Sequence, residues 1–310
     1  MSWNRETTMR RARARFMLCC ALLACSALFG GLRAQDALPI GLLPAVSMSS
    51  SDSCEYQRLT SDSVPVPVLV LPAAFRQVGT NELSDSLGLL RPFWKKLRRL
   101  RLGASADTLR ILHIGDSHIR GHIFPQTVGQ LMQEVFGAIS YTDMGINGAS
   151  CVTFTHPDCM ARMAALRPDL LILSFGTNES HNRRYTSLLH YRQMDDLVRM
   201  IRDSLPGVPM LMTAPPGSYD SFRHRRRRTY KINPRVAIAV RTICRFADDN
   251  GLAVWNLYDI AGGIRRACLN WHEAGLMRPD HVHYTLEGYL LQGKLLHQAL
   301  LKAYNDYVEH

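Results

Sequence analysis

Acidic residues are scarce in this chain: 26 Asp and Glu stand against 37 Lys and Arg, a formal net charge of +11. An excess of that sign points to nucleic acid only if it is spread over a binding face, and here it is not. Residues 1–34 hold six Arg and one Glu, which leaves about +6 for a chain starting at Gln35. Six more positive charges crowd into Arg223–Lys231, and the remainder is close to neutral. No dispersed basic face with interleaved aromatics occurs, so nucleic acid is not expected as a partner. C-x-x-C pairs and His/Cys ligand spacings are also missing, so no structural zinc is expected. Internal repeats are absent. The apolar run Phe16–Phe29 has 14 residues, too few for a stable membrane span.

What is there begins with an export signal. Arg5, Arg10, Arg11, Arg13 and Arg15 form a positive head before that apolar run, and small residues follow it up to Ala34. This is the layout of a signal peptide cleaved before Gln35. Leu22-Leu-Ala-Cys25 offers a rival processing site, with Cys25 as a lipid anchor. Arg10-Arg11 fits a twin-arginine signal. Each version exports the protein to the periplasm or outer envelope. Five of the 8 Cys remain in the mature chain. An oxidising compartment permits a disulfide, and Cys151 and Cys159 are near enough in sequence to close a small loop.

Residues 35–88 are rich in Ser, Asp and Pro without helical periodicity, and read as an extended tether. A lead-in amphipathic helix is expected within 89–105, with Phe93, Trp94, Leu97 and Leu100 on one side. The rest, 106–310, reads as one domain. With 46% hydrophobic residues overall, the chain can bury one sizeable core. Apolar runs recur at Leu109–Ile114, Ile139–Met144, Leu170–Phe175, Val208–Thr213 and Leu252–Leu257. Helical patterns lie between them, over 121–136, 188–205 and 234–249, and a last helix is expected over 286–304. Strands alternating with helices predict a parallel sheet covered on both faces.

Each strand end carries chemistry, and open α/β sheets bind ligands beyond those ends. The first run stops at Gly115-Asp-Ser117. Ser117 is either the cap of the next helix or a nucleophile. After the second run, Gly148 can expose its N–H, since no side chain blocks the approach. After the third, Asn178 offers an amide donor, or a helix cap. Near the C-terminus, Asp280 and His283 are spaced so that the carboxylate accepts from Nδ1 and leaves Nε2 free as a base. His281 and His283 form an alternative metal pair, without further ligands in view.

Taken in order, these blocks resemble the SGNH hydrolase superfamily, also called the GDSL lipase/esterase family, over roughly residues 106–305. Its Ser, Gly, Asn and His blocks match Ser117, Gly148, Asn178 and His283, and its Asp-x-x-His signature matches Asp280 and His283. One departure is His118, where the name-giving motif has Leu. That variant, with Gly176-Thr-Asn-Glu179 and the Leu276–Tyr289 stretch, is most similar to the peptidoglycan O-acetylesterase branch. Larger members of that branch carry an inserted β-rich module for which this chain has no room. The resemblance implies a three-layer α/β/α flavodoxin-like fold with a mostly parallel five-stranded sheet. It also implies a Ser117–His283–Asp280 triad, and an oxyanion hole from the N–H groups of Ser117 and Gly148 and the Asn178 amide. No metal or organic cofactor is called for. Asp116 is expected to hold the loop, and His118 to point away. The G-x-S-x-G elbow is absent, which disfavours the ordinary α/β-hydrolase fold.

The expected activity is an exported serine esterase that removes acyl groups, O-acetyl first among them, from a cell-envelope glycan or other carbohydrate. Two rivals share the residues: an O-acyltransferase using the same triad, and an inactive glycan-binding or assembly protein. Arg225, Arg226, Arg227 and Arg228, after the fourth strand, have two readings. They form either a solvated loop kept mobile by its own repulsion, or a clamp for carboxylates or phosphates of an envelope polymer.

Overall fold

The computed structural model describes residues 62–310 apart from residue 226. The expected export signal, Cys25, Cys54, the first part of the expected tether and Arg226 lie outside the described residues. In chain order the elements are α1 (Arg91–Arg101), β1 (Leu109–Gly115), α2 (Ser117–Arg120), α3 (Ile123–Phe136), β2 (Ile139–Gly145), α4 (Cys151–Phe154), α5 (Pro157–Leu166) and β3 (Leu170–Ser174). They continue with α6 (Thr177–His181), α7 (Ser187–Ser204), β4 (Met210–Thr213), β5 (Tyr219–His224), β6 (Arg227–Ile232) and α8 (Pro234–Asn250). The last are β7 (Ala253–Trp255), α9 (Leu257–Ile260), α10 (Gly263–Glu273) and α11 (Leu286–Glu309).

Five strands form one sheet in the order β2-β1-β3-β4-β7, every neighbouring pair parallel. Parallel strands covered on both faces are continuous apolar runs, and β1 and β3 obey this. Ile111 and Ile172 pack on one face with α1, α3 and α11, while Leu112, Leu171 and Leu173 pack on the other with α4, α5 and α7. The fold is therefore a three-layer α/β/α sandwich, as the apolar runs predict. α1 buries Phe93, Trp94 and Leu97. Its basic side is solvated and partly paired, Lys96 with Asp169 at 2.6 Å and Arg98 with Asp62.

From residue 62 to 88 the chain lacks helix and extended ladder, yet it is docked. Val64 N–H donates to Asn305 Oδ1 at 2.8 Å, and Asn305 Nδ2 donates to Val64 O at 2.9 Å. Asn81 donates to Leu295 O and accepts from the Trp255 indole. Ser84 makes an antiparallel bridge to Val254, which covers the open edge of β7.

Two expectations are corrected. Residues 219–232 are not a loop but an antiparallel hairpin, β5–β6. Cys151 and Cys159 are not bridged: both are free, as are Cys244 and Cys268. Cys151 is buried at the start of α4, where its backbone N–H meets Glu179, while Cys159 lies on α5, packed at the edge of the same apolar layer. Among the described residues, no helix is long and apolar enough to cross a membrane.

Candidate active site

β1 runs into the site through Gly115. A Cβ there would lie 2.5 Å from Ile119 and 2.6 Å from Ser174 O, so only glycine lets the chain turn so tightly into α2. Asp116 caps that helix, accepting from His118 N–H at 2.9 Å. Ser117 follows as the first helical residue, and its N–H has no acceptor among the described residues, as a first-turn N–H should not.

The loop from α10 to α11 brings the base. Arg278 N–H bonds His283 O at 2.8 Å, and Met277 pairs with Tyr284. Within this loop Asp280 Oδ1 accepts from the N–H groups of Val282 and His283, both at 2.9 Å. Its Oδ2 lies 2.9 Å from His283 Nδ1, and His283 Nε2 lies 2.9 Å from Ser117 Oγ. Burial alone would raise the Asp280 carboxyl, but the N–H groups and ring of His283, with Val282 N–H, hold it at about 2. A carboxylate only accepts, so Nδ1 carries the proton and Nε2 accepts from the serine hydroxyl. The structure thus brings Ser117, His283 and Asp280 into one hydrogen-bonded chain.

Gly148 sits at φ +73° with open space around it. Its N–H also has no acceptor among the described residues. Asn178, in the first turn of α6, donates Nδ2 to Ala149 O at 2.8 Å and to Asp116 Oδ2 at 3.3 Å. That amide therefore joins the Ser117 and Gly148 loops. Burial pushes the Asp116 carboxyl up to about 7, against the opposing pull of His118 N–H.

His118 does turn away from Ser117. It is buried, with Nδ1 2.9 Å from Tyr289 OH. Its ring nevertheless lies 5.4 Å from that of His283 and backs it. Burial pushes the imidazole down to about 3, so it stays neutral. His281 does not pair with His283 toward a metal. Its ring lies 4.1 Å from Tyr230 and 4.9 Å from His272, while His283 faces Ser117.

Glu179 is the supporting residue that sequence reasoning missed. Buried, it accepts from Gly176 N–H and Cys151 N–H, each at 2.9 Å, tying the Asn178 loop to the Gly148 loop. Its position three residues after Gly176 is a capping spacing that could have exposed it. Cys151, Glu179 and His190 bring ligand-type atoms within 4.8 Å of one another. Burial and Glu179 push the Cys151 thiol well up, so it stays a thiol, and His190 turns its Nδ1 to Tyr185 OH at 3.1 Å instead. Arg225 stands at the hairpin turn and Arg227 and Arg228 on β6, with no polar contact to Ser117, Asp280 or His283.

A solved peptidoglycan O-acetylesterase superposes with a TM-score of 0.65 at 20% identity, covering 72% of this chain and 99% of that one. A GDSL-like lipase from Bacteroides thetaiotaomicron gives 0.43 at 18% identity, over 68% and 98%. An acetyl esterase mutant with an acetate ion gives 0.48 at 13%, over 64% and 99%. At 20% identity the first of these likenesses is one of fold. Among curated proteins none matches the chain. A family model of GDSL-like lipases and acylhydrolases matches residues 113–291, and with that span, more than half of its length, the chain belongs to the GDSL-like lipase/acylhydrolase family of carboxylic ester hydrolases.

Proposed function

We propose that this chain is an exported serine esterase that removes O-acetyl groups from a cell-envelope glycan, with Ser117 as nucleophile, His283 as base and Asp280 as its orienting acid. The observation that carries the reading is the chain Asp280 Oδ2–His283–Ser117 Oγ, with 2.9 Å at both links. His283 Nε2 takes the serine proton as Oγ attacks the ester carbonyl, and Asp280 steadies the imidazolium that forms. The free N–H groups of Ser117 and Gly148 receive the oxyanion. Asn178 joins them by giving up its longer bond, the 3.3 Å contact to Asp116. Collapse expels the alcohol of the glycan, which takes its proton from His283. Water, activated by the same imidazole, then releases acetate and frees Ser117.

The export part rests on the basic head and apolar run of residues 1–34, and the acetyl-glycan part on the fold shared with a peptidoglycan O-acetylesterase. Acetate release from O-acetylated peptidoglycan, measured beside Ser117→Ala, tests both chemistry and substrate. Release by the wild type and none by the variant is expected. Turnover of a small acetyl ester without any release from the glycan would keep the esterase and discard the substrate.

A further inference from the structure

The hairpin β5–β6 leaves the sheet at the strand ends where Ser117 sits, and the esterase chemistry does not use it. Its register pairs Tyr219 with Ile232, Ser221 with Tyr230 and Arg223 with Arg228. Directly paired residues, and those two apart on a strand, share a face. Tyr219, Ser221, Tyr230, Arg223 and Arg228 therefore lie on one face.

That face is seated on the loop holding Asp280 and His283. Tyr219 N–H donates to His281 O at 3.0 Å. The rings of Tyr219 and Tyr230 lie 5.2 and 4.1 Å from that of His281. The paired arginines follow on the same face, one repeat or about 7 Å further along the hairpin.

Arg223 and Arg228 stand opposite each other, are exposed, and have no acidic partner among the described residues. The nearby carboxylate, Asp220, is committed to Arg235 at 2.6 Å and belongs to the other face. Like charges directly opposed weaken a ladder. An anion held between two guanidinium forks removes that repulsion and satisfies both.

We propose that Arg223 and Arg228 form an anion subsite beside the Asp280–His283 loop, taking a carboxylate or phosphate of a polyanionic glycan that carries the scissile ester. This rests on the esterase reading above, and it moves the anion contact from the consecutive run 225–228 to a cross-strand pair.

The test is binding of labelled polygalacturonate, polyphosphate and neutral dextran, followed by fluorescence anisotropy across a salt series. Arg223→Ser with Arg228→Ser is compared with Arg227→Ser with Lys231→Ser, which removes the same charge from the opposite face. Affinity of the wild type for a polyanion should fall as salt screens the pair. The first double variant should lose about tenfold or more, since charge-assisted forks are lost, and the second about threefold or less, as for exposed charges. Which polyanion binds tells carboxylate from phosphate. Equal losses in the two double variants, or no polyanion binding by the wild type, would overturn the proposal. So would a matching loss of 4-nitrophenyl acetate turnover in the first variant, because the pair would then be acting on the Asp280–His283 loop itself. Binding needs no turnover: an inactive wild type that still shows the face difference would sink the esterase reading instead.

Discussion

Replacing Asp280 by Asn separates the chemistry of the site from its architecture. The amide oxygen can still accept from Val282 and His283 N–H, now at 2.9 Å each, so the loop should keep its shape. The amide nitrogen then faces His283 Nδ1 and donates to it. Nε2 is left protonated toward Ser117 Oγ, the wrong tautomer for a base. In serine proteases that exchange costs roughly four orders of magnitude in kcat, or about 5 kcal/mol of transition-state stabilisation. The stability cost is of another size. Asp280 is held at about 2, below its ordinary value of 3.8, which corresponds to at most ~3 kcal/mol. The side chain is 46% exposed, and solvent screening reduces the figure to about 1 kcal/mol. Because the folded value is depressed, that contribution is present above pH ~4 and is lost as the pH falls through about 2. Initial rates on 4-nitrophenyl acetate and urea unfolding at pH 7 measure the two effects side by side. Asp280→Asn turning over within about tenfold of the wild type would refute the tautomer argument.

Asn178→Ala should lower kcat by about two to three orders of magnitude with little change in KM, because its donor matters most when charge is on the oxygen; a pure KM effect in steady-state rates would make it a substrate-positioning residue. Glu179→Ala strands the N–H groups of Gly176 and Cys151 and should cost about 2–6 kcal/mol in urea unfolding, at about 1–3 per buried donor; an unchanged midpoint would deny its role as the tie between the two loops. Burial holds His113 and His118 down to about 3 and His297 to about 4. Below pH ~6.5 the unfolded chain then binds protons that the folded one refuses, so stability falls toward acid. Asp116, raised to about 7, works in the opposite sense but is one group against three. Urea unfolding at pH 7 and pH 4 should show lower stability at pH 4, and equal stability would contradict the neutral burial of these histidines.

The central layer was legible because buried parallel strands need apolar side chains on both faces, and runs such as Leu109–Ile114 and Leu170–Phe175 have nowhere else to go. The candidate site was legible because Ser117, Gly148 and Asn178 follow those runs closely, while Asp280 and His283 stand three apart just before the last helical pattern. The hairpin was not. Its strands carry Arg223, Arg227, Arg228 and Lys231 rather than an apolar face, and pairing plus the seat of Tyr219 and Tyr230 on His281 holds them. The contact of His118 with Tyr289, 171 residues away, leaves no local trace either. Helices as short as α2, α4 and α6 are too brief for periodicity, and only their caps, Asp116 among them, betray them.

The most direct test is the identity of the nucleophile. Purified protein treated with an active-serine phosphonate, digested and analysed by mass spectrometry, should carry a single adduct on the peptide holding Ser117. His283→Ala should abolish the labelling while leaving the fold intact by circular dichroism. No adduct on the folded wild type, or one placed on another residue, would contradict the Ser117–His283–Asp280 assignment.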